Sequence, residues 1–265
     1  MDKNKTVKKH SQEAAEKLLL ARVLDKQEES EQKNILRNTK FLNERQRALV
    51  ERTMVSIGNT RHLFFGGYEG AQRTILIFLP DYMKSEQITQ DSICPLAFIR
   101  VEYSADNKIS HRDFLGSLMG TGIKRETIGD ILVGEDSCDI VVLKEVLSYL
   151  MANFESVGRL KVKTSVITAE LLKVPEEKFI MKKDTVASMR LDNVVSSGFS
   201  ISREKASAYV KAGRVSLNFL ECSKVDKIVS EGDAISLQGM GKIKLHQIGN
   251  QTKKGRAVIV VKKYI

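Results

Sequence analysis

The chain has 265 residues, with 43 Lys+Arg against 33 Asp+Glu and a formal net charge of +10. That length suits two or three small domains, each with a modest core. No apolar run approaches the roughly 20 residues that span a bilayer, and MDKNKTVKKH is not followed by an apolar block, so neither a membrane span nor a secretory signal is expected. The charge is uneven: residues 182–265 hold 16 basic and 7 acidic side chains, leaving 27 and 26 in the first 181. A polyanion-binding module on a nearly neutral body fits this asymmetry. Cys94, Cys138 and Cys222 are odd in number, widely spaced and without a CxxC pair, which favours reduced core thiols in a cytoplasmic protein over a metal site.

In chain order, residues 1–60 read as a helical N-terminal region. Leu18, Leu19 and Leu24 supply its first apolar contacts, and Leu42, Leu49, Val50 and Met54 those of a later helix that Asn43 is placed to cap. Lys3, Lys5, Lys8 and Lys9 are candidate RNA contacts on a segment that reads as a frayed terminus. Residues 61–173 form a central α+β domain. Thr74–Leu79 and Leu96–Tyr103 read as strands, Asp113–Met119 as a helix, Ile131–Val133 and Ile140–Leu143 as strands, Glu145–Phe154 as a helix and Arg159–Ile167 as a strand. That order predicts an RNA-recognition-like sandwich with helices on one sheet face, although the paired-aromatic signature of RNA-recognition sheets is missing.

The string HRDFLGSLMGTGIKRETIGDILV (His111–Val133) invites three enzymatic readings, and each fails on spacing. A kinase catalytic loop needs Asn where Leu118 stands, a phosphate loop needs Gly-Lys-Ser/Thr where Gly122 precedes Ile123, and a dinucleotide fingerprint needs Gly where Arg125 stands. The glycines instead suit tight turns and close backbone approach. Arg112, Lys124 and Arg125 are secondary candidates for phosphate contact. His10, His62, His111 and His246 are scattered and form no catalytic or metal grouping in sequence.

Residues 174–187 read as a linker, and 188–265 as a basic module. Its first helix, Arg190–Ser197, turns Leu191, Val194 and Val195 inward and is expected to stop at Gly198. Ser202 caps the second helix, whose Ala206, Tyr209 and Val210 share an apolar face while Arg203, Ser207 and Lys211 recur every four residues on another. Gly213 is the expected left-handed residue that ends the helix. Val215 and Leu217 then alternate with Arg214, Ser216 and Asn218 as a half-buried strand, Glu231–Asp233 make a turn, and Ala234–Leu237 return. Lys253, Lys254 and Arg256 lie in a KKGR turn that would extend the basic surface. A solvated basic helix face is the plain alternative for such a stripe. A membrane-surface helix would need a bulkier apolar face than Ala, Tyr and Val provide.

RLDNVV, SISREKASAYVKAGRVSLN and EGDAISL together resemble the S-four RNA-binding domain. The resemblance implies RNA contacts at Arg190, Arg203, Lys205, Lys211 and Arg214. The family pattern closes its strand with Asn-Gly, whereas Asn218 here precedes Phe219. GGYEGAQRTILIFLP, the HRD-to-GDI string and the terminal GRAVIVVKKYI are similar to the YlmH family of bacterial RNA-binding proteins, from about Phe64 onward. That similarity implies a cytoplasmic, monomeric translation factor without a cofactor. Such a factor would bind ribosomal RNA and tRNA on large subunits that hold a stalled peptidyl-tRNA, within ribosome-associated quality control. Two rivals remain. S-four modules are often fused to RNA-modifying enzymes, and RLDNVVSSG nearly matches the synthase string RLDxxTSG whose aspartate is catalytic. One extra residue intervenes there, and Asp192 lies inside a small helix, so a non-enzyme is favoured. A cell-division-associated scaffold is the other rival, from the family's genomic association with division genes.

Overall fold

The computed structural model describes residues 6, 7, 10, 13–90, 92–104, 106 and 108–264. Lys3, Lys5, Lys8 and Lys9 lie outside the described residues. The chain divides into two compact units, Met1–Pro175 and Glu176–Ile265.

The first unit begins with helix α1 (Ala14–Lys33), which buries Leu20, Val23 and Leu24 and leaves the expected core residue Leu18 53% exposed. A short strand β1 (Arg37–Asn38) and helix α2 (Glu44–Ser56) follow. Asn43 caps α2 as expected: its side chain accepts from the Gln46 amide at 2.9 Å, and the Gln46 side chain accepts from the Asn43 amide at 3.0 Å. Strands β2 (His62–Phe65) and β3 (Ile75–Phe78) join β1 in an antiparallel sheet of order β1-β3-β2. Two expectations are corrected here. The first 60 residues contribute a strand as well as helices, and the 74–79 strand belongs to this sheet and not to the central one. An apolar run announces a buried strand, but its period does not name the strand's partner.

The central sheet is built from β4 (Leu96–Glu102), β5 (Ile128–Val133), β6 (Ser137–Leu143) and, after a β7–β8 hairpin (Ser156–Val157 and Leu160–Lys161), β9 (Lys163–Ile167). Its order is β5-β6-β4-β9, antiparallel throughout. Helices α3 (His111–Gly120) and α4 (Leu147–Asn153) bring Phe114, Leu118 and Leu150 onto the face formed by Ala97, Ile99, Ile140 and Val142. The opposite face, through Phe98 and Val141, packs on Ile75 and Ile77 of the three-stranded sheet. Every residue of β6 is therefore buried, which explains why SCDIVVL lacks the alternation of a half-exposed strand. Asp139 is the one charge in that strand. Arg100 on β4, its direct cross-strand partner, grips both carboxylate oxygens at 2.7 Å, and the Lys173 amide donates at 2.7 Å. A buried carboxylate stripped of such donors would carry a large desolvation cost.

The second unit opens with β10 (Phe179–Val186), which corrects the second half of the expected linker at 174–187: residues 179–186 are an edge strand paired along β15 (Ala257–Tyr264). Helices α5 (Leu191–Phe199) and α6 (Arg203–Lys211) follow, then β11 (Val215–Leu217), β12 (Leu220–Glu221), β13 (Ala234–Leu237) and β14 (Gly241–Gln251). The six-stranded antiparallel sheet has the order β10-β15-β14-β13-β11-β12. One face packs Ile235, Ile243, Leu245, Ile259 and Val261 against Leu191, Val194, Val195 and Val210 of the helices. Helix α5 does not stop at Gly198 but runs on to Phe199 and ends at Ser200, in the left-handed conformation at φ 56°. Gly198 serves close packing instead, because a Cβ there would lie 2.2 Å from Ile243 Cδ1.

Candidate nucleic-acid interface

The second unit positions its basic side chains by local rules. The Ser202 hydroxyl accepts from the Lys205 amide at 3.2 Å and fixes the start of α6. At its end Gly213, at φ 70°, donates to Val210 O at 3.0 Å while Arg214 donates to Tyr209 O at 3.0 Å. This pair of bonds is the left-handed helix stop that the sequence foretold. It turns the chain so that the Arg214 guanidinium lies 4.4 Å from the Tyr209 ring centroid, with Nη2 donating to Gln238 O at 3.1 Å.

Asp192 organises the two arginines nearest the helix starts. Its carboxylate accepts from Arg190 Nε at 3.1 Å and from Arg203 Nε at 3.0 Å. The aspartate side chain is 4% exposed, whereas Arg190 and Arg203 keep 36% and 57% of theirs, so both guanidiniums are anchored at Nε while still reaching solvent. Burial alone would raise the Asp192 carboxyl, but the hydrogen bonds from Arg203 and Arg190 outweigh it and hold the group below the usual carboxylate range. A guanidinium pinned in this way loses less side-chain freedom when it meets a phosphate. The anchoring gives Asp192 a structural role.

Arg203, Ser207 and Lys211 follow one another up α6 at the i, i+4 spacing. Lys205 does not join them: at about 100° per residue it lies roughly 160° round the helix from Arg203. It borders a groove with Ser200, Ser202, Glu204 and Ala208. In the β14–β15 turn Lys253 and Lys254 are exposed. Arg256 is committed to the fold, its Nε donating to Thr185 Oγ1 at 3.0 Å and its Nη2 to Thr185 O at 2.6 Å. The structure thus brings Arg190, Arg203, Ser207 and Lys211 to one flank, sets Arg214 on Tyr209, and separates Lys205 and the KKGR turn from them.

Residues 189–235 match the family model described as "S4 domain", and residues 94–170 match "Putative RNA-binding domain in YlmH". The chain is 33% identical over 220 residues to "Ribosome-associated protein quality control protein P2" of Bacillus subtilis (strain 168), covering 82% of this chain and 83% of that relative. The chain belongs to the YlmH family. Among solved structures, "Cell division protein ylmH from Streptococcus pneumoniae" is similar, with a TM-score of 0.50 and 20% identity over 62% of this chain and 98% of that one. At that identity the likeness concerns the fold alone.

In the YlmH-type first unit, the face of the central sheet that would stack bases in an RNA-recognition domain is filled by Phe98, Val141 and the sheet packed on them. Its secondary candidates are split. Arg112 and Lys124 are exposed, whereas Arg125 points its Nη1 at Ile128 O, 2.6 Å away. Arg73, which the sequence did not single out, donates Nε to the same carbonyl at 2.9 Å. Burial, and then the nearby Arg125 charge, push the Arg73 guanidinium down to about 10. Asp130 closes the cluster by accepting from the Tyr68 hydroxyl at 2.7 Å and the Gln72 amide at 2.8 Å. The GGYEGAQR and GDI strings are therefore two halves of one structural clasp. The HRD aspartate is a helix cap: Asp113 accepts from the Ser110 amide and hydroxyl at 2.9 and 2.6 Å.

Cys94 and Cys138 are buried, and burial pushes the Cys138 thiol up, which keeps it protonated. Among the described residues no group of three or more His, Cys, Asp or Glu is placed to hold a metal ion. Among them also, no helix is long and apolar enough to cross a membrane.

Proposed function

We propose that this protein is a non-enzymatic RNA-binding translation factor. It acts as a monomer on large ribosomal subunits that carry a stalled peptidyl-tRNA, contacting ribosomal RNA and tRNA during ribosome-associated quality control. The observation that carries the RNA-binding part is the Asp192-anchored pair Arg190 and Arg203, continued by Ser207 and Lys211 along α6. These groups suit the phosphates of structured RNA, where each cation releases condensed counterions on binding. The ribosomal context is supported by the printed name of the Bacillus subtilis relative. Lys253 and Lys254 are further candidate phosphate contacts in the second unit, as Arg112 and Lys124 are in the first.

Cross-linking in cells followed by sequencing of the bound RNA tests this reading. Large-subunit ribosomal RNA together with tRNA is the expected result. A single nucleotide modification lost on gene deletion and restored by the purified protein would replace it with an RNA-modifying enzyme. Division defects without RNA enrichment would replace it with a scaffold.

A further inference from the structure

The strands of the second unit have a second face, opposite the helices, and its composition is unlike that of an ordinary solvated sheet. Strand register sets Phe179 against Tyr264, and Lys244 against Lys262. The two rings meet edge-on with centroids 6.4 Å apart. Lys262 Nζ lies 4.5 Å from the centre of the Phe179 ring. Lys242 Nζ lies 5.3 Å from that of Tyr264 and 4.9 Å from that of Phe219. Three rings and two ammonium groups thus form a continuous row across the sheet, from the edge strand β10 to the β11–β12 turn.

Two features say that this face is built for a ligand. The first is charge. The six strands contain two carboxylates: Asp184, which points the other way, accepting from the Ser197 hydroxyl of α5 at 2.6 Å, and Glu221 on the far edge strand β12. Lys242 and Lys262 of the outer face each lie over a ring, and most of the charge on this face is positive. The second is strain. Asn218 and Phe219 form a two-residue turn at φ 49° and 68°. That geometry suits a tight hairpin and favours Asn-Gly, so a bulky side chain at the second position is held at an energetic cost. What the substitution gains is a ring on this face, over Lys242.

We infer that the outer face of the six-stranded sheet is a second nucleic-acid surface, specific for an unpaired RNA segment. Bases stack on Phe179, Tyr264 and Phe219, and phosphates lie on Lys242, Lys244 and Lys262. A duplex hides its bases and gains nothing from such rings, whereas every base of a single strand offers a π-face, and this combination of rings and cations is how single strands are held without sequence readout. The inference rests on the RNA-binding reading above but uses the opposite side of the sheet. The helix flank takes structured backbone, and the sheet takes a neighbouring unpaired stretch.

The test uses the full chain and two labelled RNAs: an unpaired oligonucleotide of about a dozen nucleotides, within the span single-strand folds occupy, and a stem-loop. The unpaired probe carries 2-aminopurine, whose fluorescence falls on stacking. Phe219→Gly removes the ring and relieves the strained backbone, so it retains the fold. Phe179→Leu keeps an apolar side chain without a ring. Each variant is expected to weaken the unpaired probe about fivefold or more, to reduce the quench, and to leave stem-loop affinity unchanged. Arg203→Ala should do the reverse, so failure at the helix flank and failure at the sheet are told apart. Unchanged affinity and quench in both ring variants would overturn the inference. So would ring-dependent binding to anionic lipid vesicles, or ring-dependent self-association in sedimentation, with unpaired-RNA binding unaltered.

Discussion

The central sheet of the first unit and the six-stranded sheet of the second are both antiparallel and rich in Val and Ile, yet they treat charge in opposite ways. The first is covered on both faces, by helices on one and a small sheet on the other. Its Arg100, Arg73 and Arg125 are consequently tied to Asp139 and to backbone carbonyls. The second carries its helices on one face, and Phe179, Met181 and Lys244 of the other are exposed. Its cations are held by an aspartate, by rings or by the helix surface, and keep much of their exposure. Covering a sheet makes its charges structural; leaving a face open makes them available to a polyanion. The excess positive charge of the chain falls in the unit with the open face, as this contrast requires.

The contrast breaks most visibly at Asp139. Asp139→Ala leaves Arg100 without its buried partner and is expected to destabilise the first unit by about 3–5 kcal/mol. Urea titration followed by hydrogen exchange in residues 94–170 reads this directly, with stem-loop RNA affinity unchanged wherever the second unit stays folded. A smaller loss, about 1–3 kcal/mol, is expected from Gly198→Val, because the new side chain must displace Ile243 from the core beneath the helices. Here exchange should rise in residues 191–245.

Asp192 sharpens the comparison through pH. Its folded-state carboxyl lies below the unfolded value, so its contribution is present above about pH 4 and is lost as pH falls through the folded value. The urea midpoint of the second unit should drop between pH 5 and pH 3, conditions that bracket the unfolded carboxyl near 3.9. Asp192→Asn should remove part of that drop. Lys211→Ala is the mildest change. Its stability effect should stay within about 0.5 kcal/mol, while the salt slope for structured RNA falls by about one.

Much of the second unit was legible because its signals are local. Ser202, Gly213 and the Ala206–Val210 face each announce a helix start, stop or side without reference to distant residues, and Asn43 does the same in the first unit. The larger failures involve partners far along the chain, whereas Leu18 and Lys205 were placed on the wrong helix face. Gly198 reads as a helix stop, and only Ile243, 45 positions later, reveals why no side chain fits there. Phe179–Val186 follows Pro175 and carries charge on both sides, so it passes for a linker until β15 pairs with it. The 74–79 strand was recognised as a strand and given the wrong sheet. At the interface, the stripe of Arg203, Ser207 and Lys211 could be read from spacing. The carboxylate that anchors Arg190 and Arg203 could not, because residues 190, 192 and 203 meet only when α5 and α6 pack. The rings of the outer sheet face were missed for the same reason: Phe179, Phe219 and Tyr264 come from three distant segments.

The central claim, that the α5–α6 flank binds structured RNA on the ribosome, is tested most directly by sedimentation with large ribosomal subunits across a salt series. The wild-type chain is compared with the Arg203→Ala/Lys211→Ala variant. Weaker co-sedimentation and a salt slope shallower by about two are the predicted result. Equal binding and equal slopes for the two proteins would contradict the assignment.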